Sequence, residues 1–185
     1  MTRTASIIIV AASVAFLIAA FLPITTVFVI DRDIARIQSR PIEWASSLVL
    51  FAVGGMVTAV GLGLLTLQLR SLNSAAGPAV IGFVSVMLGA VCWTVIVYLR
   101  YTLPLEIVLR EPTLGWWFVA YTLLTQAALI AYGLALVQAG YPRWLGISTM
   151  GLAAGSFLAY VVFKDMPPFA HYVITLMIGV ALLFA

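Results

Sequence analysis

A glutamine near the middle of a long uncharged stretch is the residue best placed to touch a ligand or to tie helices together. The stretch from 113 to 139 around Gln126 holds no charged residue, and Thr122 and Thr125 fall on the same arc of a helix. An amide at a depth without water must be satisfied by protein or by a ligand. The pattern predicts a ligand path or an interhelical hydrogen bond, and we favour the hydrogen bond.

A second set of candidate residues lies where the predicted spans leave the membrane on one side. His171 is the one histidine of the chain, and Asp165 and Glu106 fall in connectors on the same predicted face. An imidazole titrates near neutrality and can carry protons or ligate a metal or haem. We favour the plainer interpretation, in which the three residues form a polar rim, and we expect no metal and no cofactor.

Other kinds of chemistry are poorly supported. Cys92 is the single cysteine, so no internal disulfide and no cysteine pair for zinc can form. The net charge of +3 comes from basic residues that are mostly dispersed, which gives no sign of nucleic-acid binding. The chain has no phosphate-binding loop and no motif of the common hydrolases, so we predict no catalytic residue.

The composition indicates what must position these residues. Of the 185 residues, 64% are hydrophobic and only 8% are charged, whereas soluble domains carry about 25% charged residues. Six apolar segments are long enough to consider as membrane spans. Their limits are about 5–30, 44–69, 79–99, 113–139, 144–163 and 169–185. We predict an all-α integral membrane protein, a six-helix transmembrane bundle that forms one domain over residues 1–185.

Two stretches between the predicted spans are expected to lie at the membrane surface. Residues 31–44 space their arginines as a helix does, so they predict a helical extension into the headgroups that ends at Pro41. Residues 100–112 alternate charges with an apolar run too short to span, which predicts an interfacial or re-entrant segment between the third and fourth spans. Pro23 should kink the first span.

Small residues recur at every fourth position in several spans. Such lines let helix backbones approach closely in a bilayer. We expect them to pack helices within the bundle, and an oligomer seam is the alternative. The clearest lines are Gly55, Ala59 and Gly63 in the second span and Gly151, Gly155 and Ala159 in the fifth.

Six spans place both termini on one face, here called face A. It carries Arg3, Arg70 and Arg143, whereas the opposite face B carries the other six basic residues and all six acidic ones. A count of Lys and Arg alone would place face B in the cytoplasm. We favour face A, because its loops are short and purely basic, so both termini are predicted to be cytoplasmic in the cell membrane.

These patterns favour a non-catalytic membrane subunit or interaction protein. Its partners would be the lipid bilayer and other membrane subunits or further copies of itself. A small transporter or channel for a neutral or lipophilic molecule is the alternative, because Gln126 and its hydroxyl neighbours could line a path. A lipid-directed membrane enzyme using His171 and Glu106 at face B is a third possibility.

Overall fold

The structure is a computed structural model that describes residues 2–22, 25, 30–72, 74–111, 114–163 and 169–184. Within these residues all regular secondary structure is helical. The helices are α1 (Thr2–Phe21), α2 (Ile30–Ser39), α3 (Pro41–Arg70), α4 (Ala76–Thr102), α5 (Leu105–Arg110), α6 (Trp116–Gln138), α7 (Arg143–Phe163) and α8 (Ala170–Leu183). The predicted all-α class is confirmed.

Five of these helices, α1, α3, α4, α6 and α7, are long and apolar enough to cross a membrane. This is the pattern of a multi-pass membrane protein. The predicted sixth span corresponds to α8, which has only 14 residues. At 1.5 Å per residue α8 is about 21 Å long, against about 30 Å for the hydrocarbon core.

The long helices and α8 pack in the order α1–α3–α4–α6–α7–α8, and α8 returns to lie along α1. The contact between α7 and α8 is slight, so α7 is held mainly by α6. In the most apolar part of α6, 61% of the residues are buried, against 22% in α7. The bundle therefore has α6 near its centre and α7 at its edge.

The first helix is shorter than the predicted segment 5–30, because α1 ends at Phe21. The end falls two residues before Pro23, and proline both lacks an N–H donor and disfavours the helical conformation of its predecessor. The kink predicted at Pro23 lies outside the described residues. The Thr25 hydroxyl donates to Ala19 O in the last turn at 3.0 Å and to Leu22 O just beyond the helix at 2.7 Å. That side chain satisfies acceptors that the end of the helix leaves open.

The surface segments at face B pack on each other. Helix α2 is the predicted extension, and it ends at Ser39, so that Pro41 takes the first turn of α3, where its missing N–H is harmless. Ile37 of α2 and Leu109 of α5 are buried together. An ion pair of 2.9 Å joins Arg36 to Asp33 within α2. Helix α5 thus provides a short element between α4 and α6 that is anchored on α2.

At the opposite end, side chains join two connectors. The Gln68 amide donates to the Tyr141 hydroxyl at 3.1 Å, and the Ser74 hydroxyl donates to Gln138 O at 3.1 Å. These bonds hold the α3–α4 connection against the α6–α7 turn. They place the two connectors on one face of the bundle, which is face A.

Candidate functional site

Five helices each contribute one aromatic side chain to the same level of the bundle, on the face B side. These residues form what we call the aromatic cluster, and none is more than 4% exposed. They are Phe16 of α1, Phe51 of α3, Trp93 of α4, Tyr121 of α6 and Tyr172 of α8. Because five separate helices meet there, the cluster fixes their relative positions.

The rings of the aromatic cluster are in direct contact. Phe16 stacks on Tyr172 with ring centroids 3.5 Å apart, and Trp93 stacks on Tyr121 at 4.8 Å. The Trp93 indole N–H donates to Phe51 O at 3.0 Å, which satisfies its polar atom. Pairs of this kind contribute about 0.5–1.5 kcal/mol each beyond the area they bury. The cluster is therefore a rigid part of the core.

His171 lies beside the aromatic cluster and not at a polar rim. It is only 3% exposed, and its Nε2 hydrogen-bonds the Tyr121 hydroxyl. The imidazole meets the Tyr121 ring nearly edge-on, with centroids 4.9 Å apart. The first turn of α8 packs into the bundle, and the Tyr121 hydroxyl partly offsets the cost of burying a polar ring there.

The predicted rim is not assembled among the described residues. Glu106 is exposed on α5, whereas His171 is inside the bundle, and Asp165 lies outside the described residues. Among the described residues, no group of three or more His, Cys, Asp and Glu side chains could hold a metal ion.

A small cavity separates the aromatic cluster from the rest of the core. Its volume is about 20 Å³, and four helices line it. All of the lining residues except Ala90 are buried. They are Gly55, Thr58 and Leu62 of α3, Val86 and Ala90 of α4, Tyr121, Thr125, Ala128 and Leu129 of α6, and His171, Tyr172 and Thr175 of α8.

The polar arc of α6 faces the bundle interior. Gln126 is 1% exposed, Thr122 0% and Thr125 6%. Thr125 lines the cavity, whereas the other two residues do not. The Thr125 hydroxyl donates to Tyr121 O of its own helix at 2.7 Å. The arc therefore lies inside the bundle, and Thr125 is its one residue at the small cavity.

The line of small residues in α3 is inside the bundle. A Cβ atom on Gly55 would lie 3.0 Å from the Trp93 ring and 3.1 Å from the Tyr172 hydroxyl. Ala59 is 1% exposed, and a Cβ on Gly63 would lie 2.8 Å from the Phe83 ring. These positions let large aromatic side chains of α4 and α8 approach the α3 backbone.

The corresponding line in α7 does not pack within the bundle, which corrects the interpretation we favoured. Gly151 and Gly155 are exposed, and an added Cβ there would have no other described helix within 4 Å, whereas Ala159 is half-buried. The buried face of α7 is formed instead by Leu145, Gly146, Thr149 and Ala153. Helix α7 touches the bundle on one side only, so its glycine line points away.

The close crossing of α6 and α7 lies at a glycine pair that the sequence analysis missed. A Cβ on Gly146 would lie 2.5 Å from Gly133 O, and a Cβ on Gly133 would lie 2.7 Å from Gly146 O. The two glycines are almost equally distant from the turn at Gly140, whose φ is +81°. Their similar distances from the turn are the feature of the sequence that indicates that the two glycines meet.

The aromatic cluster was not predicted from the sequence either. The position of each aromatic residue along its helix is the feature that could have indicated it. Its five residues all lie within roughly three turns of the face B ends of their helices. Comparison of the chain with protein-family models, curated proteins and solved structures finds no match.

Proposed function

We propose that the protein is a non-catalytic integral membrane subunit. In this proposal the outer face of α7 packs against a transmembrane helix of another subunit or of a second copy. The observation that carries the proposal is the open space beside Gly151 and Gly155. Helices in lipid associate by close backbone approach, and glycines at spacing i, i+4 are the residues that permit it.

The glycines belong to a continuous exposed face. It is formed by positions i, i+3, i+4, i+7 and i+11, which share one side of a helix. All are exposed, with small residues at one end and larger apolar ones at the other. They are Gly151, Ala154, Gly155, Leu158 and Val162, which together we call the α7 outer face. A second helix could lie in its shallow groove with its side chains between Leu158 and Val162.

The interior of the bundle supports this role over transport. The cavity beside Thr125 measures about 20 Å³, whereas ligand pockets measure about 300–1,000 Å³. His171 and Tyr121 are buried among aromatic rings, where no substrate could reach them without a large rearrangement. The polar residues of α6 then serve to position helices.

In the membrane, α8 acts as the sixth span, although it is short. It lies along α1, and a Cβ on Gly179 would come within 2.9 Å of the Val10 side chain. Helices α2 and α5 form the interfacial element at face B, where the charged residues of α2 meet the headgroups. Both termini are then cytoplasmic, in the cell membrane.

The proposal is tested with two matched glycine-to-leucine variants of the full chain. Gly155→Leu fills the groove of the α7 outer face, and Gly77→Leu adds the same side chain at another open position, in the first turn of α4. The mass of the purified particle in mild detergent and its thermal melt are measured for both. Wild type and Gly77→Leu should give an assembly larger than the 19.9 kDa chain.

Gly155→Leu should leave the melting temperature of the bundle as in the wild type. It should lose the partner helix, because the leucine side chain prevents close approach of the two backbones. Assembly that survives Gly155→Leu, or a wild-type protein that extracts from native membranes as a single chain, would contradict the proposal.

A further inference from the structure

The cavity between α3, α4, α6 and α8 has a mainly apolar lining that includes five residues with polar side chains. Thr58, Thr125 and Thr175 carry hydroxyl groups, and Tyr121 and His171 carry a phenol and an imidazole. A buried cavity can hold a water molecule where it is large enough and offers two to four polar partners.

One ring nitrogen of His171 has a hydrogen-bonding capacity that the described residues do not use. Its Nε2 bonds the Tyr121 hydroxyl, while its Nδ1 is fully buried and has no partner among the residues that the structure describes. An unsatisfied buried polar atom costs about 1–3 kcal/mol. His171 as a whole is 3% exposed, so bulk water does not satisfy this nitrogen.

The threonines that share the cavity can still accept hydrogen bonds. The Thr58 hydroxyl donates to Gly54 O at 2.7 Å, and the Thr125 hydroxyl donates to Tyr121 O at 2.7 Å. Each hydroxyl donates its one proton in that bond, and the lone pairs on its oxygen can still accept a hydrogen bond. The lining thus offers acceptors from α3 and α6 and an imidazole from α8.

We infer that this cavity is a binding site for a single water molecule, which links His171 Nδ1 to the threonine hydroxyls of the neighbouring helices. The volume of about 20 Å³ exceeds the roughly 10–15 Å³ that one water requires. A buried water needs two to four polar partners, typically about three.

The protons in this arrangement balance. In the inferred arrangement the Tyr121 O–H donates to Nε2, the neutral imidazole carries its proton on Nδ1, and Nδ1–H donates to the water oxygen. The water then donates its two protons to the oxygens of Thr58 and Thr125. The bound water would join α8 to α3 and α6, a connection that direct contacts between α6 and α8 make only weakly.

Because His171 is the one histidine of the chain, ¹⁵N-histidine labelling gives a single-site probe. The full-length protein in lipid bilayers is studied by water-edited solid-state NMR, in which polarisation passes from mobile or bound water to nearby ¹⁵N nuclei. The Nδ1 signal should receive water polarisation and show a bound proton. The Nε2 signal of the same ring should receive much less, because Tyr121 occupies it.

Two matched valine-to-isoleucine variants of α4 locate the water. Val86→Ile adds a methyl group at the cavity wall, whereas Val97→Ile adds the same group at a buried position that does not line it. Val86→Ile should lose the transfer to Nδ1, and Val97→Ile should keep it. Should Val86→Ile not fold, Thr58→Val, which removes one acceptor at constant shape, should reduce the transfer instead.

The inference is overturned by a wild-type Nδ1 signal without water transfer. It is equally overturned by transfer that is undiminished in a folded Val86→Ile or Thr58→Val protein.

Discussion

At the scale of single residues, several polar side chains inside the bundle form hydrogen-bonded pairs between different helices. Ser13 of α1 bonds Thr175 of α8 at 2.9 Å, and Thr66 of α3 bonds the Tyr132 hydroxyl of α6 at 2.7 Å. Tyr121 and His171 form a third pair, between α6 and α8. Bonds of this type average about 0.6 kcal/mol in one measured membrane protein. Their main effect is to select which helix faces meet.

The Tyr121–His171 pair should show energetic coupling. Tyr121→Phe leaves Nε2 without its donor in a buried site, so it should cost about 1–3 kcal/mol of unfolding free energy. His171→Leu removes the ring and its need for that donor, so the double variant should be more stable than the sum of the two losses predicts. The interaction energy from a double-mutant cycle, measured by unfolding in mixed micelles, should be about 0.5–3 kcal/mol. Strict additivity would mean that the two groups do not interact.

Gln126 should behave as a structural residue. Gln126→Leu exchanges an amide for an apolar side chain of similar length, so the thermal melt should shift little or rise. Leu129→Ala on the same helix provides the control, because it empties a buried apolar site and should cost about 2–5 kcal/mol. A Gln126→Leu protein that fails to fold would show that the amide anchors a larger polar network. One that folds but loses a transported ligand would favour the transporter hypothesis.

The sequence predicted the depth of Gln126 but not the place of His171. A polar residue in the middle of an uncharged stretch has to be buried in protein, whatever the fold. A polar residue at the start of a helix can lie either at the membrane surface or inside the protein, because lipid headgroups or a protein partner can satisfy its hydrogen bonds. Only the positions of Tyr121 and α1 decide between them, and those depend on tertiary packing.

At the scale of helices, spacing predicted that small residues pack closely but not which line faces inward. The lines in α3 and α7 have the same spacing. An added Cβ at Gly55 or Gly63 would meet aromatic rings, whereas one at Gly151 or Gly155 would meet no other described part of the chain. The rotation of a helix about its axis is set by all its neighbours together. In a membrane both its inward and outward faces are apolar, so hydrophobicity gives no guide.

Two glycines of α7 should therefore respond oppositely to the same substitution. Gly146→Ala places a methyl group against the backbone of α6 and should lower stability by about 1–3 kcal/mol. Gly155→Ala meets open space and should leave the thermal melt unchanged or raise it slightly, because alanine is the better helix former. Equal melts for the two variants in monomeric detergent particles would show that Gly133 and Gly146 do not define the crossing.

At the scale of the whole molecule, the number of membrane crossings decides the topology. With α8 as a sixth span both termini lie on face A, and with five spans they lie on opposite sides. The side of the membrane on which each terminus lies is therefore the most direct test of whether α8 crosses the membrane.

Cysteine labelling determines the orientation of the bundle, and tags at the two termini determine whether α8 spans. In a Cys92→Ser background, Ser71→Cys reports on face A and Glu111→Cys on face B, and both positions are exposed. A membrane-impermeant thiol reagent should label Glu111→Cys in intact cells and Ser71→Cys only after lysis. The reverse pattern would mean that the bare count of Lys and Arg sets the orientation. Tags at both termini, tested in the same cells, should be protected together.

The packing of α8 along α1 has a consequence for how the protein is made. Ser13 and its partner Thr175 are 162 residues apart, so a ribosome working at about 5–20 residues per second needs roughly 8–32 s to deliver the second hydroxyl. During that interval the groove of α1 that will receive Gly179 stays open to lipid, and Ser13 must bond a carbonyl of its own helix. In the proposed six-span topology α8 must displace lipid from α1 when it inserts, and a nascent chain stopped before α8 would present α1 as a surface for chaperones.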